Sequence, residues 1–110
     1  MTSHQFETHR PVHLFTAIGK GSVKVVATDT TETRVDISGR DAEEVEVHQS
    51  GDEVSVQGPR QRGIFGDHRL DVVVTLPTGS HVVVRTGSAD ISVTGTVSRS
   101  QLKSGSGDVE

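Results

Sequence analysis

The sequence predicts an all-β chain, a stacked-strand solenoid of β-helical character with antiparallel hairpins in its N-terminal half. Three observations carry that expectation. Apolar residues alternate with polar ones in nearly every segment, the period of a half-buried strand, and no segment holds a helical period. Val and Thr dominate the composition, and β-branched side chains fit a pleated surface better than a helix. An eight-residue motif returns after 18 residues, which is how stacked units that cannot bury their apolar faces alone announce themselves.

In chain order, Val12, Leu14 and Ile18 predict a strand over 12–18, and Val23, Val25 and Ala27 a strand over 22–27. Val35 and Ile37 continue the pattern. Val45 and Val47, then Val54 and Val56, flank Gln49-Ser50-Gly51-Asp52, whose Ser-Gly-Asp suits a tight turn, so this stretch reads as a hairpin. Leu70, Val72, Val74 and Leu76 form the clearest strand, stopped by Pro77-Thr78-Gly79, and Val82 with Val84 begins the next. Because Val73 and Val83 are apolar too, burial on both faces is expected here, at the centre of the core. The motif itself is Val84-Arg-Thr-Gly-Ser-Ala-Asp-Ile91, repeated as Leu102-Lys-Ser-Gly-Ser-Gly-Asp-Val109, with a fainter echo at Gly19-Lys20-Gly21-Ser22-Val23. Gly87, Asp90, Gly105 and Asp108 are the expected repeat corners: glycine lets neighbouring rungs approach, aspartate bonds its own backbone, and the next residue turns into the core.

A chain of 110 residues holds one domain at most, so residues 1–110 are expected to be a single β-repeat domain. The second copy of the motif ends one residue after Val109, which predicts truncation at the C-terminal end. Only 31% of residues are hydrophobic and the aromatics are Phe6, Phe15 and Phe65, so Val, Ile and Leu must fill a thin core. Without cysteine there is no disulfide framework, thiolate nucleophile or cysteine-ligated metal. The first residues lack the regions of a signal peptide and no apolar run is long enough to span a bilayer, so a cytoplasmic location is expected over a cell-surface one. Nine carboxylates lie between Asp29 and Glu53 against Arg34 and Arg40, and that acidity excludes a nucleic-acid groove.

Taken together, the Gly-Ser-Ala-Asp-Ile and Gly-Ser-Gly-Asp-Val repeats and Leu70-Asp-Val-Val-Val-Thr-Leu-Pro-Thr-Gly79 resemble the bacterial putative-adhesin β-strand repeat family, also called toastrack domains. Ile18-Gly-Lys-Gly-Ser-Val-Lys-Val25 and Glu44-Val-Glu-Val-His-Gln-Ser-Gly-Asp-Glu-Val-Ser-Val56 fit its pattern as well, so the likeness covers most of the chain. The resemblance implies a stacked-strand solenoid without enzymatic activity, acting in interaction or scaffolding. It leaves open a regulatory or sensor role in an envelope-stress system.

No catalytic residue, cofactor site or metal site is assigned. The spacing of Asp90 and Asp108 differs from that of calcium-binding nonapeptide rolls, because Asp108 directly follows Gly107. His4, His9 and His13 cluster in sequence, but Pro11 interrupts the spacing that would converge them, and His48, His68 and His81 are scattered, so all six read as surface residues. No nucleophile elbow precedes a helix, and the acidic segment has no matching Lys or Arg cluster, so a carbohydrate-active β-helix enzyme is disfavoured. The expected interaction element is the Gly-rich basic loop over 58–69, with Ile64 and Phe65 at its tip and Arg60, Arg62 and Arg69 around them. Its protein partner is not specified by the sequence. Self-association through open solenoid edges is a further expectation.

Overall fold

The computed structural model describes residues 2–8, 10–39, 45–58 and 70–106. Among them are eight strands and no helix: β1 (Thr2–Glu7), β2 (His13–Thr28), β3 (Glu32–Gly39), β4 (Glu46–Ser50), β5 (Glu53–Gln57), β6 (Leu70–Pro77), β7 (His81–Thr94) and β8 (Arg99–Ser106). Hydrogen bonding joins them in the order β1-β3-β6-β2-β5-β4, with β7 beside β2 and β8 beside β7.

The 16-residue β2 organises the chain. Along one edge it pairs in parallel with β7 from His13↔His81 to Val26↔Thr94. On its other edge it pairs first with β5, over 13–17, and then with β6, over 21–28, again in parallel. The burial pattern explains how one strand serves two partners. Leu14, Thr16 and Ile18 are buried, and after Gly19-Lys20-Gly21 it is Val23, Val25 and Ala27, so the inward face changes parity. Both sets belong to one core cluster, which a straight strand with period-2 side chains cannot achieve. Length says the same: 16 residues at about 3.3 Å each would span about 53 Å, beyond the longest molecular axis of 41 Å. The strand therefore folds over across Gly19–Gly21.

Gly21 is required there. Its φ is +130°, and a Cβ at this position would lie 1.8 Å from the Leu70 carbonyl oxygen on β6. The two strands expected over 12–18 and 22–27 are thus one element, because a glycine in that extended, mirror-image conformation bends the chain without releasing its ladder bonds.

β7 repeats the pattern, with Val82, Val84 and Thr86 buried before the change and Ile91 after it. Only residues 95–98 separate its end from β8, whose start pairs with the start of β7 at His81↔Arg99. Four linking residues reach less than half the span of a straight 14-residue strand, so β7 also folds back on itself. The β7–β8 register is His81↔Arg99 through Ser88↔Ser106, a constant offset of 18 that equals the sequence period. The connecting turns stack with the same offset. The Ser98 amide donates to the Ser80 carbonyl at 3.0 Å, the Gly79 amide to the Thr96 carbonyl at 2.9 Å, and the His81 amide to the Val12 carbonyl at 2.8 Å.

The antiparallel pairs are β1–β3, β3–β6 and β4–β5. Of these only β4–β5 is a hairpin, the one predicted at Gln49–Asp52; Ser50 pairs with Glu53 around a two-residue loop in which Gly51 has φ +58°. A positive φ at the first loop position alone is the pattern of a type II′ turn. The other two antiparallel pairs join strands distant in sequence, so the expected plural hairpins reduce to one.

Val and Leu fill the core as expected, with Val72, Val74 and Leu76 fully buried. Burial on both faces of this segment does not occur, since Val73 is 38% exposed. The sheet packs on one face only, and the alternate residues of β6 look to solvent. Among the described residues no helix is long and apolar enough to cross a membrane.

Candidate interaction face

Because β5, β2, β7 and β8 run parallel in register, their outward side chains form rows across the strands. The first row is Glu53, His13, His81 and Arg99. The second is Ser55, Phe15, Val83 and Gln101, and the third Gln57, Ala17, Arg85 and Lys103. β4 extends the face by hairpin pairing, with His48 opposite Ser55 and Glu46 opposite Gln57. Beneath each row the intervening residues Leu14, Val54, Val56, Val82 and Val84 are buried, which anchors the face to the core.

A groove of about 420 Å³ runs over the first two rows, with Phe15 and Val83 forming a half-buried apolar floor. The His13 and His81 rings line one end, their centroids 5.2 Å apart and tilted by 36°. A second depression of about 250 Å³ lies between Arg85, Gln101 and Lys103. Charge is graded across the strands. Glu46 and Glu53 stand on β4 and β5, whereas Arg85, Arg99 and Lys103 stand on β7 and β8. Among the described residues the ion pairs are Arg34–Asp36 at 3.1 Å and His48–Glu46 at 3.8 Å, so those three cations on β7 and β8 have no carboxylate partner. The His48–Glu46 pair is about 70% exposed on both sides and contributes little.

The predicted site residues fall in three groups. The loop residues Arg60, Arg62, Ile64, Phe65 and Arg69 lie outside the described residues, as does Asp108. Gly87 and Asp90 lie within β7, in the stretch where the inward face changes, and Gly105 lies within β8. A Cβ on Gly87 would come 3.1 Å from the Gly19 carbonyl oxygen, so the echo at Gly19 and the repeat glycine are spatial neighbours. His4 is placed in β1 opposite Val35, at the far end of the strand order from the β5–β4 pair, and His9 and His68 lie outside the described residues.

What residue-by-residue reading missed is the rows. His13 and His81 are 68 apart and Arg99 follows 18 later, and each opens a strand. The signal was present in Ser80-His-Val-Val83 against Ser98-Arg-Ser-Gln101, an upstream extension of the 18-residue repeat that carries the turns as well. The same offset sets Arg85 beside Lys103, assembling a basic cluster that no continuous segment contains.

In-register parallel strands, turns stacked at a fixed offset and a sheet packed on one face define a β-strand repeat protein. Residues 14–110 match the Toastrack DUF4097 family, and the chain belongs to it. No curated protein matches the chain. Among solved structures, a putative cell adhesion protein from Clostridium sporogenes is similar with a TM-score of 0.60 and 9% identity, over 94% of this chain and 56% of its own. A putative adhesin from Bacteroides fragilis gives 0.57 and 14%, over 98% of this chain and 60% of its own. One from Parabacteroides distasonis gives 0.55 and 12%, over 98% and 55%. At these identities the likeness concerns the fold alone, and the chain spans 55% to 60% of the length of those structures.

Proposed function

We propose that this chain is a non-enzymatic interaction module, a β-solenoid whose repeat corners at Gly87, Asp90, Gly105 and Asp108 stack rungs of 18 residues, and that it binds an anionic partner through the outward face of β7 and β8. The observation that carries this reading is the cluster of Arg85, Arg99 and Lys103. Parallel register gathers it on one face beside the apolar floor of Phe15 and Val83, with no carboxylate to neutralise it among the described residues. Unpaired cations beside a shallow apolar groove suit carboxylated or sulfated polymers and acidic protein surfaces, where electrostatics guide encounter and the apolar floor adds burial. Adhesion fits such chemistry, and the three structural neighbours carry adhesion names. Self-association through β8 belongs to the same proposal, since among the described residues β8 pairs only with β7.

Heparin serves as a polyanion probe and dextran as its neutral control. The chain is expected to be retained on immobilised heparin at low salt and released as salt rises. Substituting Arg85→Ser, Arg99→Ser and Lys103→Ser together removes retention, and dextran retains neither form. Retention unchanged by the triple substitution, or turnover of glycoside substrates by the purified chain, overturns the reading. Light scattering during size exclusion tests self-association, with a monomer at high concentration as the contrary result.

A further inference from the structure

We propose that His13 and His81 form a two-imidazole site for a divalent transition-metal ion of the zinc type, with the Glu53 carboxylate as the adjoining third donor. The argument is independent of the anionic-partner reading, because it uses the other end of the groove and different side chains. Both histidines open their strands at equivalent positions, point outward on the same face, and are direct partners in the parallel ladder. Glu53 is the next residue in the same row, on the far side of His13.

Their backbones are held firmly. The His13 amide donates to the Asp52 carbonyl and the His81 amide to the Val12 carbonyl, both at 2.8 Å. Their rings are not held. No hydrogen bond or ion pair engages either imidazole among the described residues, and His13 is exposed while His81 is half-buried. Two nitrogens that share a zinc ion lie about 3 Å apart, each about 2.0–2.1 Å from the metal. Rings with centroids 5.2 Å apart reach that separation when their facing edges turn towards each other, a rotation about the broad terminal torsion of histidine with no backbone movement.

No three groups of the His, Cys, Asp and Glu types already stand in coordinating positions among the described residues, so this is a bidentate site completed by Glu53 or water. Imidazole with carboxylate and water suits zinc, nickel and copper rather than calcium or magnesium. The groove above leaves room for a partner's donor atom. Bound metal would pin β2 to β7, strands whose paired residues are 68 apart in sequence.

The test is isothermal titration of the full chain with zinc chloride after chelator treatment, on the wild type and on His13→Gln, His81→Gln and His4→Gln. Either of the first two substitutions is expected to weaken zinc binding at least tenfold, and His4→Gln to leave it unchanged. Zinc raises the melting temperature of the wild type and of His4→Gln but not of the other two. Side-chain nitrogen NMR of the wild type supplies a readout free of mutation, with the coordination shift confined to the His13 and His81 rings. Absence of zinc binding at millimolar metal overturns the proposal. So does full affinity in the His13→Gln/His81→Gln double variant, or a shift appearing at His4 or His48 instead.

Discussion

Replacing Gly21 with alanine should cost far more than the same change at Gly51, although both residues have positive φ. At Gly51 the conformation is left-handed, φ +58°, and an added Cβ meets nothing within 4 Å. The cost there is conformational alone, about 1–2 kcal/mol. At Gly21 the φ of +130° is hostile to any L side chain, and the new Cβ would also sit 1.8 Å from the Leu70 carbonyl oxygen and 2.6 Å from the Leu70 nitrogen. A carbon–oxygen contact needs about 3.3 Å, so β2 and β6 would have to part by about 1.5 Å at this point. That breaks the ladder bonds at the start of the β2–β6 pairing, each worth about 0.5–1.5 kcal/mol net. Added to backbone strain of about 1–3 kcal/mol, the total is about 3–5 kcal/mol. At about 4 °C per kcal/mol, Gly51→Ala lowers the melting temperature by about 4–8 °C and Gly21→Ala by at least about 12 °C. Thermal melts and urea titrations followed by far-ultraviolet circular dichroism measure both. Asparagine tolerates the left-handed region, so Gly51→Asn should recover most of its loss while Gly21→Asn recovers none. Equal costs for the two alanine variants would refute the folded-over geometry of β2.

Three further outcomes follow from buried polar groups. The Thr8 and Thr33 hydroxyls share a buried hydrogen bond of 2.9 Å, so Thr33→Val alone should cost about 1–3 kcal/mol and the Thr8→Val/Thr33→Val pair less than the sum, as a double-mutant cycle in urea will read. Ser80 accepts from the Val12 amide at 3.0 Å and donates to the Pro77 carbonyl at 2.7 Å; Ser80→Ala orphans both and should destabilise by about 1–3 kcal/mol, with faster amide exchange at Val12. The Thr16 hydroxyl is fully buried without a partner, so Thr16→Val should stabilise by about 1 kcal/mol, seen as a higher urea midpoint at unchanged slope.

Period-2 alternation and valine content were enough to determine the all-β class, the inward-facing residues Leu14, Val25, Val35, Val56 and Val74, and the β4–β5 hairpin, because each depends on neighbours a few residues apart. The 18-residue period also emerged from the sequence, and it is the register of β7 on β8. Tertiary structure alone decided where β2 folds over, since the parity change at Gly19–Gly21 is indistinguishable in sequence from a break between two strands until both halves are seen in one core. It decided too that Val73 faces solvent, because an apolar residue on a strand does not say whether anything packs above it. The candidate face depended on it most. His13, His81 and Glu53 share a row only because parallel pairing joins segments 68 and 40 residues apart, and no local spacing encodes a partner chosen by which β-strands fit side by side.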